Sequence, residues 1–378
     1  MMKTKLKNLL KELSERSTIN NQYEVLTSSQ NGIVSQTEYF NKQIASVQNI
    51  GYKIIRKGQF TYRSMSDTGL FFINRLTAPE IGIVSPAYPV FEIISDDLLP
   101  EYLELFFRST NFQHQISTES TGSTRLALKY NKLCDLEINV PSLCIQSEIV
   151  NNINVITNVI DLEKKQLKLY DELIKSRFIE MFETIDLSEQ RNNWKELGLV
   201  SKIYTGTTPS TKESRNWDGD VLWITPAEMN QDTFYVYDTV RKITEIGRKS
   251  KSLDLMPINT VLLSTRAPIG KVGIVGKPMA CNQGFKNFEC SNEVNPVFLY
   301  ILLKNNTEYL NSLGSGTTFL EVSKSKISKM LIPVPKIELQ NEFELFVKLI
   351  DKSKFIVQQE IKDLQELLDK KMNEYFGQ

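Results

Sequence analysis

The chain carries a duplication. The stretch TGSTRLALKYNKLCDLEINVPSLCIQSEIVNNINVI from Thr121 returns as SGTTFLEVSKSKISKMLIPVPKIELQNEFELFVKLI from Ser315, 194 positions later. The register then runs without a gap to Phe182 and Phe376, keeping Val140-Pro141 and Val334-Pro335, Gln146 and Gln340, and Glu148 and Glu342 in step. Upstream the match weakens but persists: Arg75 and Gly82-Ile83-Val84 answer Arg266 and Gly273-Ile274-Val275. Pro100, Tyr102 and Leu103 answer Pro296, Phe298 and Leu299. A repeat of this length fixes the architecture, because whatever one unit folds into must be built twice.

Each unit has a front and a back. The fronts carry short β-branched and aromatic runs, such as Val221-Leu-Trp-Ile-Thr and Val261-Leu-Leu-Ser-Thr, punctuated by Gly, Pro, Asn and Ser. They are expected to be mixed, strand-rich domains, with the strands starting at about 20 and 195 and a small helix after Pro100 and after Pro296. The backs, about 145–182 and 339–376, contain neither Pro nor Gly and are expected to be long helices. The fold class is therefore α+β. It comprises a first front over 1–142, a helix over 143–183, a second front over 184–336 and a helix over 337–378.

On the first helix a 4-3 stripe runs Ile149, Ile153, Ile156, Ile160, Glu163, Leu167, Tyr170, Ile174. The second repeats it as Phe343, Val347, Ile350, Lys354, Val357, Ile361, Leu364, Leu368. Such stripes predict a coiled-coil pair, each helix about 55 Å long. An antiparallel register that sets Glu163 against Lys354 stacks Ile149 on Leu368, Leu167 on Ile350, Tyr170 on Val347 and Ile174 on Phe343. Independent exposure of the two charges is the competing reading. An antiparallel pair made from two copies of one unit has an approximate two-fold axis, with the fronts at opposite ends of a rod.

Chemistry is sparse. With 1 His and 4 Cys and no C-x-x-C spacing, a Cys/His metal centre lacks ligands. No H-E-x-x-H, G-x-S-x-G or G-x-G-x-x-G is present. The run Gly270–Lys277 is one residue too long for a phosphate loop and has Pro278 where Ser or Thr would hold Mg²⁺, so a strand and turn are expected. Asn295-Pro296-Val297-Phe298 lacks the second Pro of an adenine methyltransferase site and is expected to be a helix cap. Neither a catalytic set nor a metal site is expected. Lys+Arg and Asp+Glu are 45 each, which argues against gripping nucleic acid by bulk charge but leaves local readout open. No apolar run is long enough for a transmembrane helix, and no signal peptide is visible, so the expected compartment is the cytoplasm.

The repeated Gly-Ser/Thr-Thr, Val-Pro, Gln-x-Glu and long helix, with Tyr204-Thr-Gly-Thr-Thr-Pro-Ser210 and Arg266-Ala-Pro-Ile-Gly-Lys271, closely resemble the specificity subunit of Type I restriction-modification systems. The first front departs from that pattern, lacking an equivalent of Thr205-Gly-Thr-Thr-Pro209. The resemblance implies that each front is a target recognition domain reading half of a bipartite double-stranded DNA sequence. It implies that the helices act as spacer and as dock for two methyltransferase subunits, which carry S-adenosylmethionine, and that motor and nuclease (restriction) subunits join the assembly. This chain would itself hold no cofactor. Candidate DNA contacts are Arg75, Arg266, Arg63, Lys271, Thr207, Thr208, and the loop residues Ser123, Thr124, Thr317 and Thr318. For Arg75 and Arg266 a structural salt bridge competes, and for the Gly-Ser/Thr-Thr loops a plain turn does. Basic clusters Lys53/Arg56/Lys57/Arg63 and Arg241/Lys242/Arg248/Lys249/Lys251 are further candidates. A coiled-coil scaffold, an enzyme with an unfamiliar site, and a subunit of a related methyltransferase-nuclease system are the alternatives.

Overall fold

The computed structural model describes residues 2–39, 48–119, 126–189, 191–230, 233–266, 268–315 and 320–377. The backbone divides into two compact units, Met1–Lys164 with Gln358–Gln378, and Lys165–Val357. Both long helices form, as Leu143–Phe182 and Ile337–Phe376. Each begins just after its Val-Pro pair, whose Pro excludes the preceding residue from the helical region.

In the first unit, Leu10–Leu13, Val90–Ile93, Phe60–Thr61 and Asn74–Arg75 form a four-stranded antiparallel sheet in that order. Strand structure begins at Met2 rather than near 20: Met2–Lys5 pairs with Glu137–Val140, and Leu6, Leu9 and Leu10 enter the core. The N-terminal Lys-Leu alternation is thus a half-buried edge. Two further antiparallel pairs join Leu26–Ser29 to Gly32–Ser35 and Lys53–Arg56 to Ile81–Val84. The core is aromatic, with Phe60 stacked on Phe91 at 5.5 Å. Ile149 and Ile153 of the first long helix and Phe376 of the second pack into it.

In the second unit a five-stranded sheet runs Ser201–Thr205, Lys286–Cys290, Val261–Leu263, Val272–Val275, Tyr235–Val236, the last pairing parallel. Val261, Leu262 and Leu263 are all buried, as a central strand covered on both faces requires. A three-stranded sheet orders Lys242–Ile243, Trp217–Ile224 and Ala280–Cys281. Phe178 of the first long helix and Phe343 and Val347 of the second lie in the core with Phe298. As expected, Gly270–Lys277 holds a strand, Val272–Val275. Asn295 caps the Pro296–Asn305 helix, its side chain accepting from the Val297 amide at 2.8 Å.

The repeat is visible in the backbone. Leu6 N donates to Leu136 O at 2.9 Å in the first unit, and Leu197 N donates to Met330 O at 2.8 Å in the second. The helix halves are exchanged between copies. Phe376, at the end of the second long helix, meets Tyr102 with ring centroids 5.0 Å apart. Its counterpart Phe182, at the end of the first, meets Phe298 at 4.9 Å. In each unit the beginning of one long helix therefore packs beside the end of the other, so the two run in opposite senses.

All sixteen stripe positions, including Ile149, Ile156, Leu167, Tyr170, Ile350, Ile361, Leu364 and Leu368, are buried or half-buried. The expected Glu163–Lys354 pairing does not occur. Lys354 Nζ instead reaches Asp171 Oδ1 at 2.7 Å, and Glu163 is half-buried with one carboxyl oxygen enclosed and unpaired. Phe343 meets Phe178 and Phe182 at 5.4 and 5.6 Å. Burial of these rings outweighs a single ion pair in setting the register. Lys354, whose side chain is 17% exposed, leans to the more open Asp171, at 44%.

Candidate nucleic-acid interface

The Thr205–Ser210 segment leaves the edge strand of the five-stranded sheet and is held by other parts of the second unit. Gly206 crosses so close to Cys281 that a Cβ there would lie 1.9 Å from the Cys281 carbonyl oxygen, so no larger residue fits. Beyond it, Trp223 Nε1 donates to Thr207 O at 3.2 Å and Trp217 Nε1 to Ser210 O at 3.1 Å. Thr208 Oγ1 donates to Gln283 Oε1 at 2.8 Å. Thr207 and Thr208 are half-buried on a loop fixed at both ends.

A shared-carboxylate cluster lies around Thr265, whose amide donates to Gly284 O at 2.7 Å. Arg266 Nε donates to Glu321 Oε2 at 2.9 Å, and Lys286 Nζ reaches Glu321 Oε1 at 3.4 Å. Burial raises the Glu321 carboxyl, but the Arg266 hydrogen bond and both cations outweigh it and hold it below the usual carboxylate range. One carboxylate serving two cations leaves net positive charge. The Arg266 side chain is 44% exposed, and its terminal guanidinium nitrogens are not engaged among the described residues.

Arg75 differs from its repeat counterpart. Its two terminal nitrogens pair with Glu101 Oε1 at 2.8 Å and Glu104 Oε2 at 3.0 Å, and its side chain is 18% exposed. Glu101 and Glu104 stand three residues apart on the Pro100–Arg108 helix, so they present one acidic face to it. Burial keeps Glu104 above its ordinary value, against the opposing charges of Arg75 and Arg108. Arg75 is thus a structural tie, the competing reading. Lys271 is committed too: its Nζ donates to Pro226 O at 2.9 Å and Met229 O at 2.6 Å.

In the first basic cluster, Lys53, Arg56 and Lys57 pair with Glu12, Glu15 and Glu80. Arg63 makes no ion pair among the described residues and is exposed, lining a groove with Gln30, Ser66 and Thr68 beside the partly exposed Met65, Leu70 and Phe72. In the second cluster Lys242 pairs with Asp238 and Arg248 with Glu245. Ser123, Thr124, Thr317 and Thr318 lie outside the described residues.

The sequence reading missed the two tryptophans as the anchors of the Thr207–Ser210 loop. Their separation of six residues was visible, but Trp217 and Val221 both pair with Ile243 across a bulge, which no periodicity signals. Among the described residues no helix is long and apolar enough to cross a membrane, and no group of His, Cys, Asp and Glu side chains could hold a metal ion.

Comparison with known proteins gives one answer. The family model for the Type I restriction modification DNA specificity domain matches residues 5–169 and again 191–373. The MjaIX specificity subunit of Methanocaldococcus jannaschii is 35% identical over 184 residues, covering 47% of this chain and 43% of that protein. The HindI specificity subunit of Haemophilus influenzae is 22% identical over 400 residues, covering 84% and 86%. The match thus spans less than half of the MjaIX subunit but most of the HindI subunit. Among solved structures, the fold resembles a chain from a study of complex assembly and conformational transition in the type I R-M system. It has a TM-score of 0.63 at 17% identity and covers 99% of this chain and 97% of that one. The S subunit of a Type I system from M. genitalium gives 0.57 at 14%, covering 99% and 96%.

Proposed function

Because this chain belongs to the Type I restriction modification DNA specificity family, we propose that it reads a bipartite DNA target for enzymes that carry out the chemistry. Each front domain takes one half-site, and the chain contributes no catalytic group of its own. Two methyltransferase subunits bearing S-adenosylmethionine dock on it, and restriction subunits join them, in the cytoplasm.

The observation that carries this reading is the duplication, present in the sequence and echoed in the matching backbone hydrogen bonds Leu6–Leu136 and Leu197–Met330. Two similar readers in one polypeptide suit two half-sites on one duplex, as the two protomers of a dimeric reader do. The long helices also support docking. Besides the stripe that faces the helix pair, they expose Val155, Leu162 and Leu169 at heptad spacing, and Leu345, Leu349 and Ile356. Exposed apolar side chains in rows mark a surface for a protein partner. The balanced charge fits a subunit whose partners supply much of the phosphate attraction.

The test is DNA binding by the purified chain, alone and with the methyltransferase subunit of its own system, together with methylome sequencing of a host expressing both. A bipartite modified motif, lost when the chain is removed, is the expected result. Sequence-independent binding, or modification unaffected by the chain, would overturn it.

A further inference from the structure

Arg241 stands out among the basic residues of the second unit. Its guanidinium lies over the Trp217 ring at 3.6 Å and faces Trp223 at 5.6 Å, and the two indoles meet edge to face at 5.2 Å. Its backbone is fixed as well. Thr239 Oγ1 donates to Arg241 O at 2.8 Å and accepts from Trp223 N at 3.1 Å. Yet the side chain is exposed, and none of its N–H groups has an acceptor among the described residues. Neighbouring Lys242 and Arg248 have carboxylate partners, as do Arg266 and Lys286.

An exposed arginine normally samples many rotamers, and ordering it on binding costs free energy. Stacking on an indole removes much of that freedom while leaving the donor edge of the guanidinium open. The same tryptophans hold the carbonyls of Thr207 and Ser210, so loop and cation are positioned by one aromatic pair. A planar cation held in place with its donors vacant matches the oxygens of a phosphodiester.

We propose that Arg241 is a preorganised clamp for a DNA backbone phosphate in the half-site read by the second unit, setting position along the duplex without reading a base. This rests on the DNA-reading function proposed above.

The test measures binding by the chain in complex with its methyltransferase subunit. One fluorescent duplex bears the methylated motif found in the host, and the other is of unrelated sequence, each titrated between about 50 and 200 mM salt. Arg241→Ala and Arg241→Gln should weaken both duplexes by a similar factor, about 10-fold. They should also reduce the steepness of the log affinity against log salt plot by about 0.9. Arg241→Lys, keeping the charge but not the stack, should retain the slope with an intermediate loss. An unchanged slope in both the Ala and Gln variants, or weakening confined to the duplex carrying the motif, would overturn the assignment. Absence of DNA binding by the unsubstituted complex would overturn the DNA-reading function, and this proposal with it.

Discussion

Gln146 and Gln340 close the same ring of three hydrogen bonds in the two units. Gln146 accepts from Leu99 N at 2.8 Å and donates to Asp97 O and Pro141 O at 2.7 and 2.8 Å. Gln340 accepts from Asn295 N at 2.8 Å and donates to Glu293 O and Pro335 O at 3.0 and 2.7 Å. Both side chains are fully buried. Each glutamine ties the start of a long helix to the segment before the short Pro100 or Pro296 helix, adding a polar tie to the apolar packing of helix on core.

Replacing either glutamine with leucine removes three hydrogen bonds to partly buried backbone groups and leaves an apolar side chain in their place. Gln146→Leu and Gln340→Leu should each destabilise their own unit by about 2–4 kcal/mol. Denaturant unfolding followed by hydrogen exchange would locate the loss. Equal protection at both helix starts in a single variant would contradict it.

Among the described residues two ion pairs join the long helices, Asp171–Lys354 and Arg177–Glu342, and the first takes the lysine that was expected to face Glu163. A double-mutant cycle on Asp171 and Lys354 should give a coupling of about 0.5–1 kcal/mol, modest because Asp171 is well exposed. The same cycle on Glu163 and Lys354 should be additive.

Gly206 has no room for a methyl group, since the obstacle is the Cys281 main chain rather than a movable side chain. Gly206→Ala should lower the stability of the second unit by about 2–3 kcal/mol. It should also weaken DNA binding by displacing the Thr207–Ser210 loop. A melting temperature equal to that of the parent would refute the first expectation.

Burial pushes the Cys281 thiol up to about 12, although the Asn287 amide, 3.2 Å from its sulfur, opposes the shift. The folded chain therefore keeps this proton where an unfolded thiol, at its ordinary value of 9.0, has lost it. The contribution to stability is complete below pH 9 and is lost as the pH rises from there towards 12. Unfolding curves should show a decline above pH 9 that is shallower in Cys281→Ala. Native alkylation near pH 8 should modify the exposed Cys144 and spare Cys281 until the chain unfolds.

Much of the fold was legible because it depends on local signals. The Val-Pro pairs set the starts of the long helices, and the repeat register from Phe182 to Phe376 their ends, to within two residues. The 4-3 spacing picked the inward face at every position from Ile149 to Ile174 and from Phe343 to Leu368. The candidate interface was less legible. Arg75 and Arg266 occupy equivalent repeat positions, but Arg75 faces Glu101 and Glu104, whose counterparts in the second unit are Val297 and Tyr300. A match in residue type says nothing about the charges opposite.

The sequence by itself determined that one unit is built twice, that each copy ends in a long helix, and which stripe of each helix is inward. These follow from chain periodicity and backbone sterics, which act over a few residues. Tertiary structure alone decided the partner of Lys354, the commitment of Arg75 and Lys271 within the fold, and the placing of Arg241 on Trp217. Those outcomes depend on which side chains the folded backbone brings within a few ångströms. Coulomb attraction, ring stacking and desolvation select among such neighbours only after packing has set the distances.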